Sequence, residues 1–254
     1  MNLAKASPMP AAAAATTSGL PLAARLDAVR WKGIEEQLDE VGCAVLPGLL
    51  TSGDCDTLVP LYAQEAAFRS RIVMGRHGFG RGEYKYFAYP LPPLVALLRE
   101  SIYPRLVPIA NRWHGALGLA ARFPSRHADF IRRCHGDGQL RPTPLMLSYG
   151  EGDYNSLHQD LYGEHVFPLQ VAVLLSEPGR DFSGGEFVMT EQRPRMQSRP
   201  EVVALRQGDA VVFAVHARPV QGARGVYRVN HRHGVSRLRS GHRFTLGVIF
   251  HDAQ

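Results

Sequence analysis

The sequence predicts a mainly β fold of the α+β type: a double-sheet antiparallel jelly roll with helices from the N-terminal half packed against it. Two observations predict it. From Pro142 onward the chain breaks into about eight short β-branched runs, at 144–149, 154–158, 166–176, 185–191, 201–206, 210–215, 226–235 and 242–250, separated by Gly, Pro, Asp and Asn. Before Pro142 the apolar residues recur instead at helical spacing.

Residues 1–20 are rich in Ala, Pro, Ser and Thr and carry no helix cap, so they read as a flexible tail. A signal peptide is the rival reading, but prolines upstream of the alanines make a poor apolar segment. Residues 21–254 are expected to form one domain, with a helical part at 21–141 and the jelly-roll core at 142–254. Leu26, Val29, Ile34, Leu38 and Val41 mark one helical face that Gly42 ends as a C-cap would. Cys43 to Leu46 reads as a strand. Thr51 or Ser52 can cap a second helix to about Phe68, with Asp54 and Asp56 in its first turn.

Residues 70–90 alternate Gly75, Gly78, Gly80 and Gly82 with Arg71, Arg76, Arg81, Tyr84, Tyr86 and Tyr89, and read as a mobile basic and aromatic loop. A helix is expected over 94–122, with Pro104 and Pro108 as candidate breaks. Trp31 and Trp113 fall on apolar helical faces. The stretch near 135–142 reads as an internal loop.

The chain has 254 residues and 45% hydrophobic content, enough for one sizeable core. It has no apolar run of the roughly 18–20 residues that spans a membrane. Three scattered cysteines, Cys43, Cys55 and Cys134, exclude a disulfide framework and point to a reducing compartment, the cytoplasm. A net charge of +6 and a pI near 9.5, much of it arginine, suit a polyanionic partner, although a GC-rich genome inflates arginine in the same way.

Three His-x-Asp tripeptides occur: His127/Asp129, His135/Asp137 and His158/Asp160. On a strand, residues two apart share a face, so such a pair can grip one ion. Only His158-Gln159-Asp160 lies between strand-like runs; the other two read as a solvated helix end and a surface turn. A second histidine would complete a two-His, one-carboxylate face of the kind that holds ferrous iron with positions left open. His165, His216, His231, His233, His242 and His251 are the candidates downstream. His233 stands out because the run to Thr245 reads as strand, turn, strand. That hairpin would bring Arg243 back beside the metal, its guanidinium free for a bidentate carboxylate contact.

Residues 143–250 resemble the catalytic core of the Fe(II)/2-oxoglutarate-dependent dioxygenase superfamily, which folds as a double-stranded β-helix. In its prolyl-hydroxylase-like members a distal His is followed by Ser/Thr-Gly and Arg-x-Ser/Thr, the pattern of His233, Ser240-Gly241, Arg243 and Thr245. Gly184-Gly185-Glu186-Phe187 and the run 207–213 are similar to strands of that core. The stretch from Tyr149 to Asp160, with Ser156-Leu157-His158-Gln159-Asp160, is similar to the AlkB family of nucleic-acid dealkylases, as is His233-Gly234-Val235. Leu147 stands where that family carries Asn, and Ile249 where it carries a second arginine. As a whole the chain resembles a bacterial group linked to oxidation of damaged DNA.

The resemblance implies an enzyme in which His158, Asp160 and His233 bind Fe(II), while Arg243, helped by Thr245 and Tyr149, binds the distal carboxylate of the co-substrate 2-oxoglutarate. It implies hydroxylation of a C–H bond by O2 with release of succinate and CO2; on an N-methyl group this would leave formaldehyde and the free base. Arg193, Arg195, Arg199, Arg218, Arg224, Arg228 and Arg237 are expected to rim the pocket, with Arg232 and Arg239, and to contact the phosphates of single-stranded or damaged nucleic acid. A prolyl-type protein hydroxylase, a small-molecule hydroxylase and a non-catalytic cupin-like metal-binding module are the alternatives.

Overall fold

Local sequence sets the helices and their ends. The computed structural model describes residues 19–254 except Tyr162, so residues 1–18 of the expected tail lie outside the described residues. The helical pattern of 26–41 becomes two helices, α1 (Leu22–Asp27) and α2 (Trp31–Val41). Gly42 ends α2 at φ 84°, a left-handed cap that a side chain would strain. Strand β1 (Cys43–Leu46) follows as expected. Thr51 caps α3 (Ser52–Leu58) through a box with Asp54, each side chain accepting the other residue's backbone N–H, at 3.1 and 2.9 Å. This helix stops at Leu58 rather than Phe68, and the chain continues in short 3-10 turns from Val59, with Pro60 in the first.

Residues 70–90, expected as a loop, are largely paired as far as Phe87: β2 (Phe68–Val73), β3 (Gly80–Arg81) and β4 (Glu83–Phe87). Their aromatic residues alternate with charged ones, and both faces are used. Tyr84 and Tyr86 line a cavity, while Lys85 is buried on the opposite face against Tyr62 and Phe68. The glycines at 75, 78, 80 and 82 between these short strands are what make the stretch read as a loop.

Helix α4 (Pro93–Ala116) runs unbroken through Pro104 and Pro108. Four residues apart, the two prolines share the exposed face, where carbonyls freed by the missing N–H groups meet solvent. The opposite face buries Val95, Leu98, Ile102, Leu106, Ile109 and Trp113, and that burial holds the helix. Helix α5 (His127–Gly136) holds His127 and Asp129 in its first turn and His135 in its last, with Asp137 just past its end. His127 is buried against expectation, its Nε2 2.8 Å from the carbonyl of Phe250.

The remaining strands are β5 (Leu145–Tyr149), β6 (Tyr154–His158), β7 (Leu169–Leu174), β8 (Phe182–Gly184), β9 (Phe187–Gln192), β10 (Arg199–Val203), β11 (Ala210–Ala214), β12 (Ala217–Gly222), β13 (Gly225–Val235), β14 (Leu238–Gly241) and β15 (Arg243–Val248). A larger antiparallel sheet has the order β1-β11-β7-β15-β5-β4-β2, and a smaller one β10-β9-β13-β6-β3 with β12 also on β13. The two sheets face each other across a cavity lined from both, which is the double-stranded β-helix expected from the resemblance. The N-terminal part therefore does more than add helices: it supplies β1, β2 and β4 to one sheet and β3 to the other.

The main core lies on the outer side of the larger sheet, where α1, α2 and α4 pack on Val171, Val173, Val212, Leu246 and Val248. Arg99 on α4, 2% exposed, pins the C-terminal segment by donating to the carbonyls of Ile249 and His251 and to Asp252 at 2.6 Å. Among the described residues no helix is long and apolar enough to cross a membrane.

Candidate metal centre and its cavity

His158 ends β6 and His233 lies near the end of β13, paired as direct cross-strand partners in adjacent antiparallel strands. Asp160 follows two residues after His158. Among the described residues these three alone bring ligand-type atoms together, one from each within 4.8 Å of the others. Asp160 Oδ1 stands 3.5 Å from His158 Nε2, and its Oδ2 stands 3.4 Å from His233 Nε2. The Nδ1 of His158 lies 2.8 Å from the Ser156 carbonyl and donates to it, so Nε2 is the atom turned toward Asp160 and the one that would ligate an ion. The ring of His233 packs on Phe213 and Phe187, with centroids at 4.6 and 6.0 Å.

Electrostatics keep the centre poised for a cation. Burial would push the Asp160 carboxyl upward, but hydrogen bonds from His158 and His233 outweigh it and hold the group well below the usual carboxylate range. Burial lowers His233 and so favours its neutral, ligating form. Two imidazoles and one ionised carboxylate, buried and converging, fit ferrous iron.

Gly234 makes the pairing possible. The ladder of β13 on β6 shifts between His233 and Val235, and a Cβ at 234 would sit 2.5 Å from the Asn155 carbonyl oxygen. Gly234→Ala is expected to push β13 off β6 and part His233 from His158. Metal affinity should fall roughly 10- to 100-fold, as when ligand support is lost, with about 1–3 kcal/mol of stability lost to overpacking. Calorimetric metal titration beside urea unfolding would read both; unchanged affinity would mean the strands absorb the methyl.

Behind the centre the cavity, about 220 Å³, is walled by Tyr84, Leu147, Tyr149, Thr245 and Arg243. Arg243 is 2% exposed and donates to Thr245 Oγ1 at 2.6 Å. Tyr149, its cross-strand partner, has its ring 5.6 Å from the guanidinium. Among the described residues no carboxylate forms an ion pair with Arg243. Its Nε is buried without a hydrogen-bond partner, and the buried Tyr149 hydroxyl has the Asn155 side chain beside it. Burial pushes the Arg243 pKa down to about 10, so it remains a cation at neutral pH. A buried cation in no ion pair, with a buried tyrosine hydroxyl beside it, fits a carboxylate ligand such as 2-oxoglutarate.

The other expected site residues divide. None of the seven arginines assigned to the pocket rim lines the cavity. Arg218 is no surface group: at 1% exposed it donates to the carbonyls of Asp39 and Glu40 at the end of α2, to Glu191 and to His231 Nε2. His231, one of the candidate ligands from the sequence, is buried with it instead of joining the metal centre. Alternation along β13 turns Arg228 and Arg232 to the outer face, away from His233. Arg193 and Arg199 lie 2.7 and 3.6 Å from Glu191. Among the described residues Arg195, Arg224, Arg228 and Arg237 form no ion pair. The exposed residue that does line the cavity is Phe79, flanked by Arg76, His77 and Arg81. Sequence reasoning missed Gln170, a buried polar cavity residue whose signal was its place within an apolar strand.

Residues 82–253 match the Oxygenase-NA family, described as an oxygenase catalysing oxidative methylation of damaged DNA. An uncharacterized protein of Mycobacterium tuberculosis is 47% identical over 196 residues, covering 75% of this chain and 84% of that protein. Among solved structures, a prolyl hydroxylase from Trichoplax adhaerens, in complex with a hypoxia inducible factor peptide fragment, has a TM-score of 0.50 at 15% identity, covering 86% of this chain and 88% of that one. An oxidoreductase of the 2OG-Fe(II) oxygenase family from Burkholderia pseudomallei has a TM-score of 0.49 at 20% identity, covering 89% and 93%. The likeness to the prolyl hydroxylase speaks for the fold alone, and the family match speaks for the chemistry. The chain is an enzyme, an oxygenase on a double-stranded β-helix, and it belongs to the Oxygenase-NA family.

Proposed function

We propose that the protein is an Fe(II)/2-oxoglutarate-dependent dioxygenase acting on damaged nucleic acid, removing N-alkyl groups by oxidation. The observation that carries the reading is a converging His158–Asp160–His233 donor set in one cavity with a buried Arg243 in no ion pair. Iron held by the three side chains, with 2-oxoglutarate and O2, supplies the oxidant that places one oxygen atom in a C–H bond and the other in succinate, with loss of CO2.

The chain's own residues orient and exclude. Arg243 receives the distal carboxylate in a forked contact, Thr245 shares it, and the Tyr149 hydroxyl donates to it. Leu145, Leu147, Ala172, Phe187, Phe213 and Val235 keep the cavity apolar and limit water. On an N-methyl substrate the hydroxylated methyl leaves as formaldehyde, and its nitrogen regains a proton. No acid–base pair from the protein is required for that collapse.

Phe79, Tyr84 and Tyr86 give the cavity aromatic walls that suit an unstacked base. Arg76 and Arg81 stand beside them and suit phosphates, and Arg195, Arg224, Arg228 and Arg237 are further exposed cations. The separate burial of Cys43, Cys55 and Cys134 as thiols supports a cytoplasmic setting. We take residues 21–254 as one functional unit.

Succinate release with single-stranded DNA carrying N-methylated bases tests the reading, beside unmethylated DNA and a proline-containing peptide. Turnover is expected on the methylated strand alone, with KM rising about tenfold or more between 50 and 200 mM salt. Turnover on the peptide alone would replace a nucleic-acid substrate with a protein one.

A further inference from the structure

The cavity holds one polar group that the chemistry above leaves unused. β7 is buried at every position, and Gln170 is its one polar side chain. Gln170 is 4% exposed and lines the cavity, and its Oε1 has no hydrogen-bond partner. Among the described residues its side-chain amide makes no hydrogen bond at all. A buried amide left in that state costs about 1–3 kcal/mol per unmade bond, so Gln170 is poised to hydrogen-bond whatever enters the cavity.

Its place in the sheet says which ligand. β7 pairs with β15 through Leu174–Thr245 and Ala172–Gly247, so Arg243 stands beyond one end of that ladder and Gln170 toward the other. By register they are separated by roughly 20 Å of strand. On the other side Gln170 pairs with Phe213, whose ring packs on His233. The amide is thus at the metal centre but away from the keto-acid end, where the group to be oxidised must lie. Phe213, Leu145 and Tyr86 line the same part of the cavity, and no charged side chain is paired with the amide.

A primary amide presents one donor and one acceptor in a plane. Its complement is a flat group with an acceptor and a donor side by side, and among nucleobases the best match is the 6-amino group and N7 of adenine. Guanine offers two acceptors there. Methylation at N1 of adenine leaves this pair intact, whereas methylation at N3 of cytosine removes the ring acceptor beside its amino group. We propose that Gln170 is the substrate-reading residue and selects an adenine-type edge; the assignment rests on the nucleic-acid reading above.

Two short single-stranded oligonucleotides, one with 1-methyladenine and one with 3-methylcytosine, test it through the ratio of their kcat/KM values. Wild type should favour the adenine strand about tenfold or more, and Gln170→Leu should bring the ratio near one. The ratio within one variant does not depend on how much of it is folded. Because leucine relieves an unpaired buried amide, the variant should also melt about 2–4 °C higher. An unchanged ratio, or a lower melting temperature with the ratio kept, makes Gln170 structural and overturns the assignment alone. A wild type inert on both strands removes the nucleic-acid reading and the assignment with it.

Discussion

Asp160→Asn is expected to leave the fold in place and to weaken ferrous-ion binding by roughly 100-fold or more, with succinate release at background. The carboxylate is the one negative charge among the three ligands, and each of its oxygens faces a different histidine, at 3.5 and 3.4 Å. Asparagine keeps the shape and the contacts but not the charge. Because the histidines hold the Asp160 carboxyl well below its ordinary range, it is ionised throughout the neutral range and its charge is always available to the ion. Anaerobic titration with ferrous iron, or with cobalt(II) as a coloured stand-in, measures the affinity, and circular dichroism checks the fold. A variant that binds iron as tightly as wild type would falsify the assignment of this triad.

The triad was legible because its logic is local on one side and periodic on the other. Residues two apart at a strand end share a face, and a distant strand needs only the right register to deliver His233. Gly42 and the Thr51–Asp54 box were legible for the same reason, since each is decided within a few residues. What sequence alone hid was the direction of long side chains. Arg218 sits in a run of arginines and reads as one of a charged surface, yet β12 turns it inward. There it neutralises Glu191, 27 positions away, and caps the last carbonyls of α2, 178 and 179 positions away. The pairing of β2 and β4 was hidden because the glycines at 75, 78, 80 and 82 make the stretch read as a loop. Gln170 escaped notice inside an otherwise apolar strand, where the odd residue was the informative one.

Arg243→Met is expected to move stability and ligand binding in opposite directions. The guanidinium is charged, buried and in no ion pair, with only the more distant charge of Glu186 acting on it. Its only hydrogen-bond partner among the described residues is the Thr245 hydroxyl, and its other near neighbours are the Tyr149 and Phe182 rings at 5.6 and 5.8 Å. Replacing an ill-compensated buried charge by an apolar side chain of similar length should stabilise the free protein by about 1–4 kcal/mol. The same change removes the fork that a carboxylate needs and should cost about 2–5 kcal/mol of keto-acid binding, roughly 30- to 4,000-fold in affinity. Arg243→Lys keeps the charge without the planar fork and should fall between the two. Melting curves with and without 2-oxoglutarate separate the terms: wild type gains stability with ligand concentration, while the methionine variant starts higher and gains nothing. If the variant instead melts lower and still responds to the keto acid, Arg243 is there to hold the sheet, and the anion belongs elsewhere in the cavity.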